Sequence, residues 1–245
     1  MTATTQIPGP AYRVVAQRLV IRCWEPADAP LLKAAIDASI EHLLPWMPWA
    51  ANEPTDIEAK IALIRRFRGQ FDLGQDFTYG IFDREETQAL GGTGLHTRLG
   101  SDAREIGYWV RGDGINQGVA TEAAAALTRV AFEVDKLDRV EIHCDADNVR
   151  SAAVPRKLGF THEATLRKRR VAGKVRDTLV WTLLADEYPD SGAASIPIEA
   201  FDAIGRRMFS AATTLCCEAL CGAGRDRGAE QGEAPCGSIR TQSRQ

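Results

Sequence analysis

The sequence predicts an α/β fold, with strands and helices mixed around one central sheet, and three observations predict it. Seven short segments carry apolar residues at period two, from Gln17–Trp24 to Val175–Leu184. Two of them, Asp76–Phe82 and Gln88–Arg98, are joined by the polar turn D-R-E-E-T, which reads as a hairpin. With Glu105–Arg111 next in line, they form an antiparallel meander. The third observation is a switch of period. After Glu105–Arg111 comes a helical pattern with Ala120, Ala124, Leu127, Ala131 and Val134 on one side, and then the alternating run Arg139–Asp145. Strand, helix, strand at this spacing is a βαβ unit, so its two strands are parallel neighbours in a sheet that is otherwise mostly antiparallel.

Composition narrows the class. The chain has 245 residues, 44% hydrophobic and 26% charged, which suits a soluble globular protein. A net charge of −3 gives no reason to expect a nucleic-acid partner. No apolar run approaches the roughly 18 residues of a membrane span. The first residues, M-T-A-T-T-Q-I-P-G-P, have neither a basic nor an apolar leader region, so a cytoplasmic location is expected. Cys23 and Cys144 sit singly in strand-like runs, and the other four cysteines fall after residue 215. Cys217 and Cys221 are four apart, but no histidine or second spaced pair accompanies them. Reduced thiols and no metal are expected.

In chain order, Asp28 is placed to cap a helix over Ala29–Ala38. L-L-P-W-M-P-W, Leu43–Trp49, cannot continue that helix because of its prolines, and it holds Trp46 and Trp49 on a rigid turn. Those rings are either a plug under a loop or one wall of a substrate pocket. Thr55 followed by Glu58 is a capping-box signature before a helix carrying Ile57, Ile61 and Ile64. Asp147 or Asn148 caps a short helix, Asn148–Leu158, that contains Pro155 and has Gly159 just past its end. Phe160–Arg167 and Val175–Leu184 complete the strands. The expected organisation is an extension over 1–16, a domain over 17–190, and a tail over 191–245. In that tail Ile198–Leu220 has weak helical character, and Gly222–Gln245 is too polar to offset its ordering entropy.

The turn Arg111–Gly118 carries Gly112, Gly114 and Gly118 between a strand and a helix start. The first N–H groups of a helix lack intrahelical partners and face the positive end of its dipole, so this is a site for a diphosphate. A mononucleotide reading is disfavoured, since the loop lacks the Lys-Ser/Thr of a P-loop.

Four motifs in order, L-L-P-W-M-P-W, E-I-G-Y-W-V, N-Q-G-V-A-T-E and D-N-V-R-S-A-A-V-P-R-K-L-G-F, resemble the GNAT acyltransferase superfamily. Within it the chain is similar to the RimJ/RimL-type ribosomal-protein N-acetyltransferases, over about Gln17 to Tyr188. The resemblance implies a GNAT fold, with a sheet splayed between its fourth and fifth strands. It implies acetyl-CoA as co-substrate, bound along Tyr108, Trp109 and Val110, with its pyrophosphate on Asn116, Gln117, Gly118, Val119, Ala120 and Thr121. Asn148 and Ser151 line the pantetheine arm, and Lys157 is a candidate for the adenosine phosphate. The family's loop pattern opens on Gln or Arg, where this chain has Ile115. One side-chain contact, worth about 1.5–3 kcal/mol to a charged acceptor, is therefore missing.

Transfer to an amine requires a base for the ammonium and an acid for the departing thiolate. The family's common acid is a tyrosine at the position of Pro155, which has no proton to give. Ser151 matches the RimL-type alternative. For the base, Glu105, Glu141 and His143 stay open, and a histidine's ordinary pKa near 6.5 suits the task. Trp46 and Trp49 are the expected walls of the acceptor pocket. The resemblance points to N-acetylation of a primary amine (a protein N-terminus, a small amine or an amino-acid derivative) by direct attack, in a monomer or homodimer. A succinyl or other acyl donor, or a non-catalytic acyl-CoA-binding module, are the alternatives.

Overall fold

The computed structural model describes residues 10–171 and 174–209. Among these residues ten strands form one sheet: β1 Arg13–Val15, β2 Leu19–Cys23, β3 Phe77–Asp83, β4 Ala89–His96, β5 Ala103–Val110, β6 Arg139–Asp145, β7 Thr161–Val171, β8 Lys174–Leu184, β9 Glu199–Phe201 and β10 Arg207–Phe209. Their order is β10-β9-β1-β2-β3-β4-β5-β6-β8-β7. Only β5 and β6 pair in parallel, as the βαβ spacing requires. Five helices cover the sheet: α1 Ala29–Asp37, α2 Ile40–Leu43, α3 Ile57–Asp72, α4 Val119–Glu133 and α5 Val149–Lys157.

Each face of the sheet carries its own core. On one side Ala123 to Leu127 of α4 are fully buried against Ile21, Tyr79, Ile106 and Ile142. The run of alanines allows the helix to lie close on the strands. On the other side Ile36 of α1 and Ile64 of α3 pack on Val20, Trp24 and Phe82. Adjacent residues of one strand therefore serve opposite cores, as the alternation of side chains across a strand dictates.

Local expectations met competition in four places. Asp28 does not cap α1. It closes the preceding turn by accepting from Glu25 N–H and holds the Arg22 guanidinium at 2.7 and 2.9 Å, a charge-assisted contact stronger than a cap. The cap of α3 is Asp56, accepting from Ala59 N–H at 2.8 Å, rather than Thr55. Arg13–Val15, expected in an extension, pairs with both β2 and β9. Residues 199–209, expected as weak helix, form the hairpin β9–β10 with Ile198 and Ala200 buried, so the sheet runs past residue 190. Ala200 answers Val14 across the ladder, and that alternation prevails over the helical spacing. The rest of the expected helix and the polar tail lie outside the described residues. No described helix is long and apolar enough to cross a membrane.

The D-R-E-E-T turn does more than reverse the chain. Glu86 accepts from Arg13 and Arg22, each at 2.5 Å, and Arg22 also holds Asp28. The Arg13 hydrogen bond, with help from Arg22, outweighs burial and holds the Glu86 carboxyl at about 2 instead of 4.5. A carboxyl pKa depressed by folding stabilises the fold above the unfolded value, and the contribution disappears as pH falls through the folded one. Glu86→Gln should therefore lower the thermal midpoint near neutrality. Wild type and variant should converge as pH drops from 4.5 toward 2, which circular-dichroism melts at stepped pH will show.

Candidate active site

The site begins where a ladder ends. β5 and β6 pair only at Ala103↔Arg139, Arg104↔Val140 and Glu105↔Glu141. β5 continues along β4 to Val110, while β6 continues along β8 to Asp145. Residues 106–110 thus have no ladder partner toward β6. In a sheet interior such an edge would leave backbone groups unsatisfied, so it is a place for an amide-bearing ligand.

A cavity of about 1060 Å³ crosses this splay, from Trp46 and Trp49 on one side to Asn148 and Ser151 on the other. Trp49 meets Trp109 edge-on, with ring centroids 5.8 Å apart. The Arg176 guanidinium lies 5.3 Å from the centre of the Trp46 ring and is fixed by Asp145 at 2.8 Å. The two expected pocket tryptophans therefore do face the cavity. Trp109, expected beside the co-substrate, sends its ring to their side, and its indole lies over Gly92, where an added Cβ would meet Nε1 at 2.5 Å.

The three candidate bases converge. Glu105 and Glu141 are register partners at the last rung of the β5–β6 ladder. His143 places Nε2 2.5 Å from Glu141 Oε2 and Nδ1 3.6 Å from Glu105 Oε2. Arg139 holds the second Glu141 oxygen at 2.6 Å, and Arg98 approaches Glu105 at 3.5 Å. Glu105 is the most loosely held of the two carboxylates.

Across the splay, Asn148 caps α5 by accepting from Ser151 N–H at 3.1 Å. Pro155 stands inside α5 and has no N–H to donate to the carbonyl of Ser151, four residues back. The Tyr108 hydroxyl takes that place, donating to Ser151 O at 3.0 Å, and its oxygen lies 3.2 Å from Ser151 Oγ. Burial raises the Tyr108 pKa well above the usual phenol range, so the group stays neutral. Burial also pushes the Cys144 thiol up to about 11, and the Cys23 thiol likewise. Both shifts favour the uncharged thiol, the weaker nucleophile, near neutrality.

The glycine turn is built from its backbone. Gly118 is the N-cap of α4 with φ of +81°, and Asn116 sits at +62°. Gln117 turns its amide back onto Asp113 O at 2.7 Å. A cation that the sequence motifs did not single out touches this turn. Arg18, just before β2, donates Nε to Glu122 at 2.8 Å and Nη1 to Gln117 O at 2.9 Å. The turn is not part of the cavity lining, nor is Lys157, which lies exposed at the far end of α5.

Sequence reading also missed a histidine–aspartate pair. His96, at the end of β4, is the register partner of Glu105. Its Nδ1 is 2.9 Å from Asp76 Oδ2, and Asp76 also accepts from Thr97 N–H. Burial alone would raise the Asp76 pKa, but the His96 contact prevails and lowers it. The available signal was the alternation Gly92, Gly94, His96 on one face of β4.

Comparison with known proteins follows the same lines. The acetyltransferase (GNAT) domain family matches residues 18–161. A Bacillus subtilis (strain 168) protein provisionally named ribosomal N-acetyltransferase YdaF is 29% identical over 176 residues, which are 71% of this chain and 95% of that protein. Mycobacterium smegmatis RimJ, solved in complex with CoA-disulfide, is 27% identical with a TM-score of 0.62, over 76% of this chain and 90% of that one. The microcin C7 self-immunity acetyltransferase MccE, solved with acetyl-CoA and AMP, is 20% identical with a TM-score of 0.64, over 69% and 93%. That last likeness is one of fold alone. With its family matched over more than half of its length, the chain belongs to the GNAT acetyltransferases, as an enzyme of the RimJ/RimL-type branch.

Proposed function

We propose that the protein transfers an acetyl group from acetyl-CoA to a primary amine by direct attack within a ternary complex. The observation that carries this reading is the cavity that crosses the β5–β6 splay, with carboxylates on one side and a hydroxyl on the other. The unpaired edge of residues 106–110 suits the amides of a pantetheine arm. The α4 N-terminus behind Gly118 suits a pyrophosphate. Acetyl-CoA supplies the activated thioester carbonyl, and the chain supplies position and proton traffic.

On the acceptor side, Glu105 favours a cationic ammonium between Trp46, Trp49 and Trp109, whereas Glu141 is buried behind it, tied to Arg139 and His143 and outside the cavity lining. On the other side, Ser151 Oγ offers a proton to the leaving thiolate, with the Tyr108 hydroxyl oxygen 3.2 Å from it. Ser151→Ala leaves the Asn148 cap intact, because that cap uses the Ser151 backbone N–H. The variant should lose about 100-fold in turnover, at the lower end of what acid catalysis contributes, while CoA affinity by calorimetry stays within about twofold. Unchanged turnover would remove Ser151 from the chemistry.

Arg169 and Lys174 in the cavity lining give a succinyl donor a specific observation in its favour. Acyl transfer to a library of amines and short peptides, followed by mass spectrometry with acetyl- and succinyl-CoA side by side, tests both readings. Acetylated amine supports the first and succinylated amine the second. CoA binding with no transfer to any amine would leave a binding module.

A further inference from the structure

We infer that His96, oriented by Asp76, is the base that takes the proton from the acceptor ammonium. This inference rests on the acetyl-transfer reading above and assigns a step within it.

His143 is the obvious histidine, yet both its ring nitrogens face carboxylates: Nε2 is held by Glu141 at 2.5 Å, and Nδ1 looks at Glu105 at 3.6 Å. To act as a base it would first have to give up one of them. His96 has the opposite arrangement. Its Nδ1 is bound to Asp76, which fixes the tautomer with hydrogen on Nδ1 and leaves the lone pair on Nε2. Nε2 makes no hydrogen bond among the described residues.

Its direction comes from the glycines around it. A Cβ added at Gly94 would meet His96 Nε2 at 2.8 Å, and one added at Gly107 would meet it at 3.1 Å. The imidazole therefore lies across a floor without side chains, with Nε2 over β5 two residues beyond the last β5–β6 rung. That is the cavity face shared by Glu105 and Trp109. The ring is 19% exposed, enough for an amine to reach it and little enough for Asp76 to hold it. Asp76, ahead of β3, binds the ring and Glu105 is its register partner on β5, while Arg66 on α3, Arg98 and His143 on β6 are charged or titratable groups lining the same cavity.

The step balances as follows. The ammonium gives one proton to His96 Nε2. The nitrogen lone pair forms the C–N bond to the acetyl carbon as the C–S bond breaks. The second nitrogen proton balances the one that the thiolate takes through Ser151, and His96 returns its proton to water. Asp76 is a positioning residue, which acts only through the ring it orients.

The test compares His96→Gln, His96→Ala and Asp76→Asn with wild type. Thiol release from acetyl-CoA is followed with the amine and peptide library and with water as the only nucleophile. His96→Gln is expected to slow transfer by about 100-fold or more, with CoA affinity within about twofold and a cooperative thermal transition retained. Added imidazole should restore part of the rate to His96→Ala, which a purely structural histidine would not allow. Asp76→Asn should lower kcat with KM little changed, because the amide can turn its NH2 toward Nδ1 and no longer holds the lone pair on Nε2. Should wild type acetylate no amine, the acetyl-transfer reading fails, and the water reaction still tests His96, since the same base would activate it. Transfer and hydrolysis within threefold of wild type in His96→Gln, or no rescue by imidazole together with an unchanged kcat in Asp76→Asn, overturns the assignment.

Discussion

Replacing Gly118 with valine should cost at least tenfold in CoA affinity, measured by calorimetry, while the protein remains folded. Gly118 occupies the left-handed region at φ of +81° and is the last residue before α4. That conformation costs an L-residue about 1–2 kcal/mol, and a β-branched one more, so valine will draw the backbone out of it. Each 1.4 kcal/mol is about tenfold in binding. The first N–H groups of α4, on Val119, Ala120 and Thr121, would turn with it. Space gives no relief. A Cβ at Gly118 meets the Arg18 guanidinium at 3.1 Å, and that group is pinned by Glu122 and the Gln117 carbonyl. Gly114→Ala is the matched control, since its Cβ would meet only Val110 at an ordinary 3.4 Å. Equal affinity in Gly118→Val and wild type would move the pyrophosphate elsewhere.

Lys60→Met should be the most destabilising single change on the acceptor side. Lys60 lies on α3 with its side chain 1% exposed, paired to Glu53, itself 8% exposed. Removing the cation leaves a buried carboxylate, and breaking such a pair costs about 3–5 kcal/mol. The low end applies here, because Glu53 keeps hydrogen bonds from Thr55 N–H and Oγ. Urea titration should show the loss as a lower midpoint at unchanged slope. Lys60→Met with Glu53→Gln should recover much of it, since no unpaired charge then remains. Glu53 directly follows the turn that carries Trp49, so the single variant should also weaken the acceptor while CoA binding stays intact. A stability loss below about 1 kcal/mol would show that water reaches the pair.

What could be read in the sequence was what depends on neighbours along the chain. The period of α4, the alternation of β6 and the Asn148 cap are each set within a dozen residues, and all three appear in the structure. The splay between β5 and β6 was implied by the family resemblance and is present in the ladder. What stayed hidden depends on register between distant segments. His96 faces Glu105 only because β4 and β5 pair as they do, and Asp76 reaches it from 20 positions away. Asp28 had the right residue type for a cap, but the Arg22 guanidinium competed for it. Residues 199–209 form three-residue strands, too short for period two to stand out against helical spacing.

The proline inside α5 couples chemistry to architecture. By the family resemblance Pro155 stands where many members carry a tyrosine acid, and a proline has no proton to give there. The same residue frees the Ser151 carbonyl, and Tyr108 crosses from β5 to bind there, bringing a second hydroxyl to within 3.2 Å of Ser151 Oγ. One position thus offers no proton of its own and, through the backbone, brings the Tyr108 hydroxyl beside that of Ser151. Restoring tyrosine at 155 alone would not return the enzyme to the common pattern. The new N–H would compete with Tyr108 for the Ser151 carbonyl, so an exchange at 155 has to be read together with 108 and 151.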